Sequence, residues 1–377
     1  MQKFHMSTEI IFGEGALACL EELSGQNVFV VTDRFLLTSG MVDSVTAHLK
    51  NCRITVFPDV VPDPPMETVA AGAAMLQQCG AQAIVAVGGG SSIDTAKVIR
   101  TAALELAPEK EISFYAVPTT SGSGSEVTGV AIITDQKKGV KCALIDDVLR
   151  PHIAVLDPAL VRSVPAGATA VIGVDVLTHA LEAYVARGAN DFTDAWSEKA
   201  TSMVFDYLER AYENGDDLEA REKMHNASCM AGLAFDKAGL GAAHGLAHAL
   251  GGSFHLTHGL LNAILLPAVM RANIGAGDSG RTEETNAAAR KYARLAAKLG
   301  LTTTNSMAGA SALIRAVEQL NRRLGIPAKL SQAGISKKDL AAATDQIIEH
   351  ALADGTMQTN PRTLTAKDMA WILKQIR

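Results

Sequence analysis

The spacing of apolar residues changes character once along this chain. In the first half, short β-branched runs recur at 28–32, 53–57, 84–87, 113–117 and 153–156. Between two of them, Val69, Ala73 and Leu76 fall at helical spacing. Strands separated by helices predict a parallel sheet with crossover helices. The turn-rich segment VVPDPPMETV leads into one such helix at Pro65. Beyond Pro165 no strand pattern follows. Helical spacing instead predicts helices over 165–186, 191–213, 218–234, 240–250, 258–273, 282–299, 305–324, 336–353 and 366–377. Two of these begin with a capping pair, Ser336 with Asp339 and Thr365 with Asp368. We therefore expect an α/β domain with a parallel sheet over residues 1–164 and an all-α domain over 165–377.

Composition narrows the class. The 377 residues are 48% hydrophobic and 20% charged, enough apolar content for two cores. A net charge of -6 with no basic block argues against nucleic acid or anionic membrane as a partner. Cys19, Cys52, Cys79, Cys142 and Cys229 show no paired spacing, which fits reduced thiols in a cytoplasmic setting. The opening MQKFHMSTEI has no apolar h-region, so no signal peptide is expected.

The stretch 238–270 contains no Asp, Glu, Lys or Arg, yet it holds His244, His248, His255 and His258. Its length raises the question of a membrane span. The four histidines, the Gly251–Gly252 pair and Pro267 argue against one. Each imidazole in an apolar setting needs a partner for both ring nitrogens. A lone histidine there is an ordinary core residue; four together point to a metal ion. The segment GVDVLTHALEAY at 173–184 adds Asp175 and His179, four apart on one helix face. His244 and His248 repeat that spacing. The glycine pair is expected to interrupt their helix, and Thr257 to cap a new one with His258 in its first turn. Asp175, His179, His244 and His258 then form a candidate site of one oxygen and three nitrogen ligands. The lack of a thiolate suits Fe(II) or Zn(II).

Two glycine-hydroxyl loops follow predicted strands. IVAVGGGSSIDTAK at 84–97 runs from a strand through three glycines into a helix start, where free N–H groups favour phosphate. It lacks both the GxGxxG spacing and the Lys-Ser/Thr pair of a P-loop. VPTTSGSGSEVT at 117–128 places Thr119, Thr120 and Ser123 in the second loop. Two such loops predict a dinucleotide lying across the strand ends. Asp33, closing another strand, suits ribose hydroxyls and would repel a 2′-phosphate. NAD is thus favoured over NADP, although Arg34 beside it weakens the preference.

Taken together, GGGSSID at 88–94, PTTSGSGSEVT at 118–128, GVDVLTHALEAY at 173–184 and HGLAHALGGSFHLTHG at 244–259 resemble the iron-containing (group III) alcohol dehydrogenases. The likeness spans essentially the whole chain, with the motifs in the family's order. It implies a dinucleotide-binding domain followed by a helical metal-binding domain, with the active site in the cleft between them. It implies Asp175, His179, His244 and His258 as metal ligands, and His248 beside the nicotinamide as a proton relay. It also implies Gly89, Gly90, Ser91, Thr119 and Thr120 as cofactor contacts, with Asp63 and Lys141 nearby. Where many members carry Pro after the second histidine of HGxxH, this chain has Ala249. Within the family, segments 192–200, 223–244 and 359–362 look most like the alcohol dehydrogenases of propanediol and ethanolamine breakdown. That likeness implies propanol and propionaldehyde, or ethanol and acetaldehyde, as substrates, and a homodimer or larger homo-oligomer. The location would be the cytoplasm, with packaging in a bacterial microcompartment left open.

Three other readings stand beside this one. A polyol dehydrogenase or dehydroquinate-synthase-like lyase calls for more polar contacts than Leu246, Phe254 and Leu256 offer. A metallohydrolase would use the same ligands to activate water, but leaves both glycine loops without a purpose. A metal-storage or scaffold protein needs neither loop.

Overall fold

The computed structural model describes residues 5–135, 140–277, 282–301 and 304–377. The chain divides into two compact units, Met1–Val164 and Pro165–Arg377.

Among its described residues the first unit has the strands β1 (Glu9–Phe12), β2 (Asn27–Asp33), β3 (Arg53–Val60), β4 (Ala83–Gly88), β5 (Ser113–Pro118), β6 (Val130–Asp135), β7 (Val140–Ile145) and β8 (Ile153–Leu156). Six form one sheet in the order β1-β8-β5-β4-β2-β3, and every pairing is parallel. Its helices are α1 (Arg34–Thr38), α2 (Met41–Thr46), α3 (Met66–Cys79) and α4 (Gly90–Leu106). β4 is buried along its whole length, as expected for a strand covered on both faces. β3 follows β2 on one side of it, while β4 lies on the other. The order thus reverses between β2 and β4, and open parallel sheets take their ligands beyond the carboxyl ends of strands flanking such a reversal.

The sequence reading missed three strands. β1 is only four residues long, and pairing with β8 defines it. β6 and β7 form a separate antiparallel pair, where only parallel strands were expected. Burial of Ala131 and Ile133 in alternate positions fixes which face of β6 turns inward.

The second unit is helical, with no strand among the described residues: α5 (Ala166–Val185), α6 (Asp191–Glu213), α7 (Leu218–Ala238), α8 (Ala242–Phe254), α9 (His258–Asn273), α10 (Glu283–Lys298), α11 (Ser306–Arg323), α12 (Lys337–Ala353) and α13 (Ala366–Ile376). One apolar cluster joins α5, α6, α7, α10 and α11; another joins α8, α12 and α13. α9 contributes to both, through Ala263, Leu266 and Met270 on one side and Leu261, Leu265 and Val269 on the other. A helix apolar all round is a buried one, which accounts for the uncharged stretch in the sequence. Pro267 sits inside α9 and has no N–H to donate to the carbonyl of Ala263. Asn321 of α11 does so instead, at 2.7 Å. Among the described residues, α5 alone is long and apolar enough to cross a membrane, and 83% of that window is buried in the protein.

Two local expectations need correction. Gly251 and Gly252 do not break α8, which runs on to Phe254 and ends at His255 in a left-handed conformation (φ 56°). Packing of Leu246, Ala249 and Leu250 against the second cluster outweighs the weak helix propensity of the glycines. Thr257 does precede α9, but its side chain makes no capping bond. Ser336 and Thr365 both cap, the latter in a complete capping box with Asp368.

His225 of α7 is buried, and burial pushes its imidazole down to about 4. Its folded-state value therefore lies below the unfolded one, so the unfolded chain takes up the proton first as pH falls. Stability conferred by the neutral ring is complete above about pH 6.5 and is lost down to about pH 4. We expect the stability advantage of wild type over His225→Gln to shrink by on the order of 3 kcal/mol between pH 7 and pH 4. Urea denaturation at both pH values checks this; a difference independent of pH contradicts it.

Candidate active site

Three helices bring the predicted ligands together. α5 carries Asp175 and His179 one turn apart, α8 carries His244, and the first turn of α9 carries His258. One ligand atom from each of the four lies within 4.8 Å of the others. The His179 and His244 rings stack at 4.7 Å between centroids, and His244 and His258 lie 5.2 Å apart. Asp175, His179 and His244 are buried, whereas the His258 side chain is 40% exposed, which leaves one side of the cluster open.

The donor set suits a cation. Asp175 Oδ1, His258 Nε2 and His244 Nε2 lie 2.7, 3.0 and 3.2 Å from the amide nitrogen of Asn262. That nitrogen has two protons for three acceptors, and buried His179 Nδ1 has no hydrogen-bond partner. Lone pairs thus converge with too few donors to satisfy them, and one carboxylate with three imidazoles is a donor set for Fe(II) or Zn(II). Burial raises the Asp175 carboxyl, but His179, His258 and His244 outweigh it and hold the group below the usual carboxylate range. Burial, reinforced by His179 and His258, holds His244 well below the usual imidazole value. A carboxylate at Asp175 and a neutral ring at His244 are the protonation states that metal binding requires of those two groups.

Behind the four lies a layer the sequence reading missed. Glu182 of α5 places its Oε2 2.6 Å from His244 Nδ1, at hydrogen-bond distance. Burial pushes its acid up to about 7, against the backbone N–H groups of Ala243 and Gly241. Its position within GVDVLTHALEAY was the available signal, three residues after His179. Asn262 had a similar signal, four residues after His258.

His248 lies beside the cluster and outside it. Its ring stacks on His258 at 5.2 Å and 19°, and its Nδ1 is 2.8 Å from Asp354 Oδ2. Burial raises the Asp354 carboxyl, but His248 and Thr356 more than reverse this and hold it far below the ordinary value. Asp354 sits 106 residues from His248, and nothing local in the sequence pairs them. His255 is exposed at the end of α8 and stands outside the four-ligand group.

In the first unit, Gly89 precedes α4 and Gly90 opens it, while Thr119 and Thr120 follow β5. A Cβ on Gly89 would lie 3.2 Å from Thr120 Oγ1, and one on Gly90 would lie 3.1 Å from Ser123 Cβ. The two loops therefore pack side by side, and side chains in the first would crowd the second. Ser91 lies in the first turn of α4 and is partly exposed. Asp33 ends β2, where its Oδ1 accepts from Leu36 N at 2.9 Å and caps α1. Asp63 is exposed in the connection between β3 and α3, with φ 52°. The backbone of Lys141 pairs with Thr134 in the β6–β7 hairpin; its side chain lies outside the described residues.

A buried polar network beneath these loops was also unforeseen. Asp94 accepts from Ser125 Oγ, and from Ile132 N at 2.9 Å. Fully buried Lys97 donates to Val130 O at 2.6 Å and Thr128 Oγ1 at 3.2 Å. α4 is thereby tied to the segment that continues the second loop. Asp94 and Lys97 stood three apart in SSIDTAK, spacing that places them on one helix face.

Known proteins share this architecture and sequence. Residues 7–158 match the family described as iron-containing alcohol dehydrogenase, and residues 169–377 match the C-terminal part of the Fe-containing alcohol dehydrogenase family. The chain is 42% identical over 379 residues to the 1-propanol dehydrogenase PduQ of Salmonella typhimurium, covering 100% of both. It is 36% identical to the NADPH-dependent butanol dehydrogenase of Clostridium saccharobutylicum, covering 99% of this chain and 97% of that one. A crystal structure of 1,3-propanediol oxidoreductase superposes with a TM-score of 0.90 at 31% identity, covering 100% of both chains. The chain belongs to the iron-containing alcohol dehydrogenase family, and it is an alcohol oxidoreductase.

Proposed function

We propose that this protein is a metal-dependent, NAD(H)-linked dehydrogenase interconverting small primary alcohols and aldehydes, with propanol and propionaldehyde or ethanol and acetaldehyde as substrates. The observation that carries this reading is the convergence of four ligand atoms from Asp175, His179, His244 and His258 within 4.8 Å. These residues would hold Fe(II), with Zn(II) as the alternative ion. Residues 165–377 thus serve as the metal-binding, catalytic domain, and residues 1–164 as the dinucleotide-binding domain. When bound, the ion would supply Lewis acidity and the nicotinamide cofactor would supply hydride-transfer chemistry.

The chain's own residues do the rest. Gly89, Gly90, Ser91, Thr119 and Thr120 cradle the cofactor's phosphates and ribose at the reversal point of the sheet. Asp63 and Lys141 contribute from nearby segments. Asp354 holds the Nδ1–H of His248, which leaves Nε2 to pass a proton to or from the substrate oxygen. Leu246, Phe254 and Leu256 belong to the apolar cluster next to the histidines, which supports a small, weakly polar substrate. All five cysteines are free, which supports the cytoplasm as the location. Among the described residues β1 pairs on one side only, and this edge, with Phe12 exposed at its end, supports a homodimer or larger homo-oligomer.

The test is NADH oxidation against C2–C4 aldehydes under anaerobic conditions, with Fe(II), with Zn(II) and without metal. Turnover should require metal and be highest for the short aldehydes. Full turnover after exhaustive chelator dialysis would refute the reading.

Cofactor choice has its own test, since one relative is named for NADPH. The Asp33 carboxylate repels a 2′-phosphate, so Asp33→Gly is expected to relax discrimination against NADPH about tenfold or more. An unchanged ratio of kcat/KM for NADH over NADPH would remove Asp33 from this role.

A further inference from the structure

α8 begins without a cap of its own. Gly241 precedes it in extended conformation and has no side chain to offer. Nor is there room for one, since a Cβ there would lie 2.6 Å from Asn360 Oδ1 and 2.9 Å from Glu182 Oε1. Residues from other elements supply the missing acceptors. Glu182 Oε2 accepts from Gly241 N at 3.0 Å, and Glu182 Oε1 from Ala243 N at 2.7 Å. Asn360 Oδ1 accepts from Ala242 N at 3.1 Å. A carboxylate at this end also meets the positive pole of the helix.

The same carboxylate has a third close partner. Glu182 Oε2 lies 2.6 Å from Nδ1 of His244, in the first turn of that helix. Asp175, His179 and Glu182 occupy positions i, i+4 and i+7 of α5, so all three project from one face. One helix therefore presents two prospective ligands together with the group that grips a third. An imidazole that donates its Nδ1 proton has its lone pair on Nε2. His244 Nε2 is the atom that shares the Asn262 amide with Asp175 Oδ1 and His258 Nε2.

We propose that Glu182 is a positioning residue. By capping α8 and taking the Nδ1 proton of His244 with one carboxylate, it fixes the tautomer and ring orientation that present Nε2 to the metal. The proposal rests on His244 being a ligand. Glutamine at 182 would have one acceptor oxygen for three donors, and its amide would oppose at least one of them. The tautomer would then no longer be dictated.

The test compares Zn(II) affinity by chelator competition in wild type, Glu182→Gln, Asn360→Ala and His258→Ala. Asn360→Ala removes a cap from α8, together with bonds to Asn273 and the Arg362 carbonyl, without touching His244, so it reports the effect of destabilising this region without loss of the His244 contact. Glu182→Gln should bind Zn(II) about ten- to a hundredfold more weakly than wild type. Asn360→Ala should melt lower while keeping wild-type affinity within about threefold, a margin set by the usual scatter of single-interaction effects. If Glu182→Gln binds as wild type, or loses no more than Asn360→Ala while His258→Ala binds poorly, the positioning role is overturned and the ligand set stands. If His258→Ala also binds as wild type, the ligand set has failed and Glu182's role falls with it. Should Glu182→Gln not fold, selectively 15N-histidine-labelled wild type decides the matter. The His244 resonance, identified by its loss in His244→Gln, should report the Nδ1–H tautomer in metal-free protein, and the Nε2–H tautomer would overturn the proposal.

Discussion

Replacing His258 with alanine is expected to strip the protein of its metal and to lower aldehyde reduction by about three orders of magnitude or more, the rate equivalent of the several kcal/mol a Lewis acid supplies. Asp175, His179 and His244 would remain, but a closed set of one oxygen and three nitrogens would become an incomplete set of three. The fold itself should survive. His258 is the most exposed of the four candidate ligands, at the first turn of α9. Comparing the two proteins metal-free should therefore show a stability difference within about 1 kcal/mol. Metal content by mass spectrometry, together with NADH oxidation on propionaldehyde, checks the main claim. Near-wild-type turnover from a metal-free preparation of the variant would remove His258 from the ligand set.

The second large effect concerns stability. Asp368→Ala should cost about 3–5 kcal/mol, the range for leaving one member of a buried ion pair uncompensated. Arg362 and Asp368 are both essentially inaccessible to solvent and lie 2.9 Å apart. Asp368 Oδ2 also accepts from Thr365 N and Oγ1, at 3.0 and 2.9 Å, so the substitution removes the reciprocal half of the α13 capping box as well. The carbonyl of Arg362 accepts from Asn360, whose other amide atom caps Ala242 at the start of α8. Loss of the ion pair should therefore loosen the segment that holds the His244 helix. Guanidinium denaturation measures the cost. The double variant Arg362→Met/Asp368→Leu, with no buried charge left, should recover most of it. A loss below about 1 kcal/mol for Asp368→Ala would mean that the guanidinium finds another partner or water.

Much of the candidate site was legible because prospective ligands close in sequence lie on single helices. Asp175 and His179 stand one turn apart, as do His244 and His248, and spacing alone places each pair on one face. Spacing could not say which of the clustered histidines join Asp175. His248 keeps the same i, i+4 relation to His244, yet it turns to Asp354, and His255 ends its helix in solvent. Glu182 was readable in retrospect as the next residue on the Asp175–His179 face. Asp354 and Asn360 were not, since each reaches the site from more than a hundred residues away.

The order of strands and helices follows from the sequence itself, because burial on one face or all round sets the period of apolar residues. The change at Pro165, the glycine loops after two strands and the four-histidine stretch were visible for the same reason. Tertiary structure alone decided the rest. β1 and the β6–β7 hairpin exist through their pairing partners. α8 continues through two glycines because its neighbours pack it, and its first turn is capped by side chains from α5 and the segment before α13. Long-range contacts carry no local signature, so acceptors that reach the site from distant segments emerge only when the chain is folded.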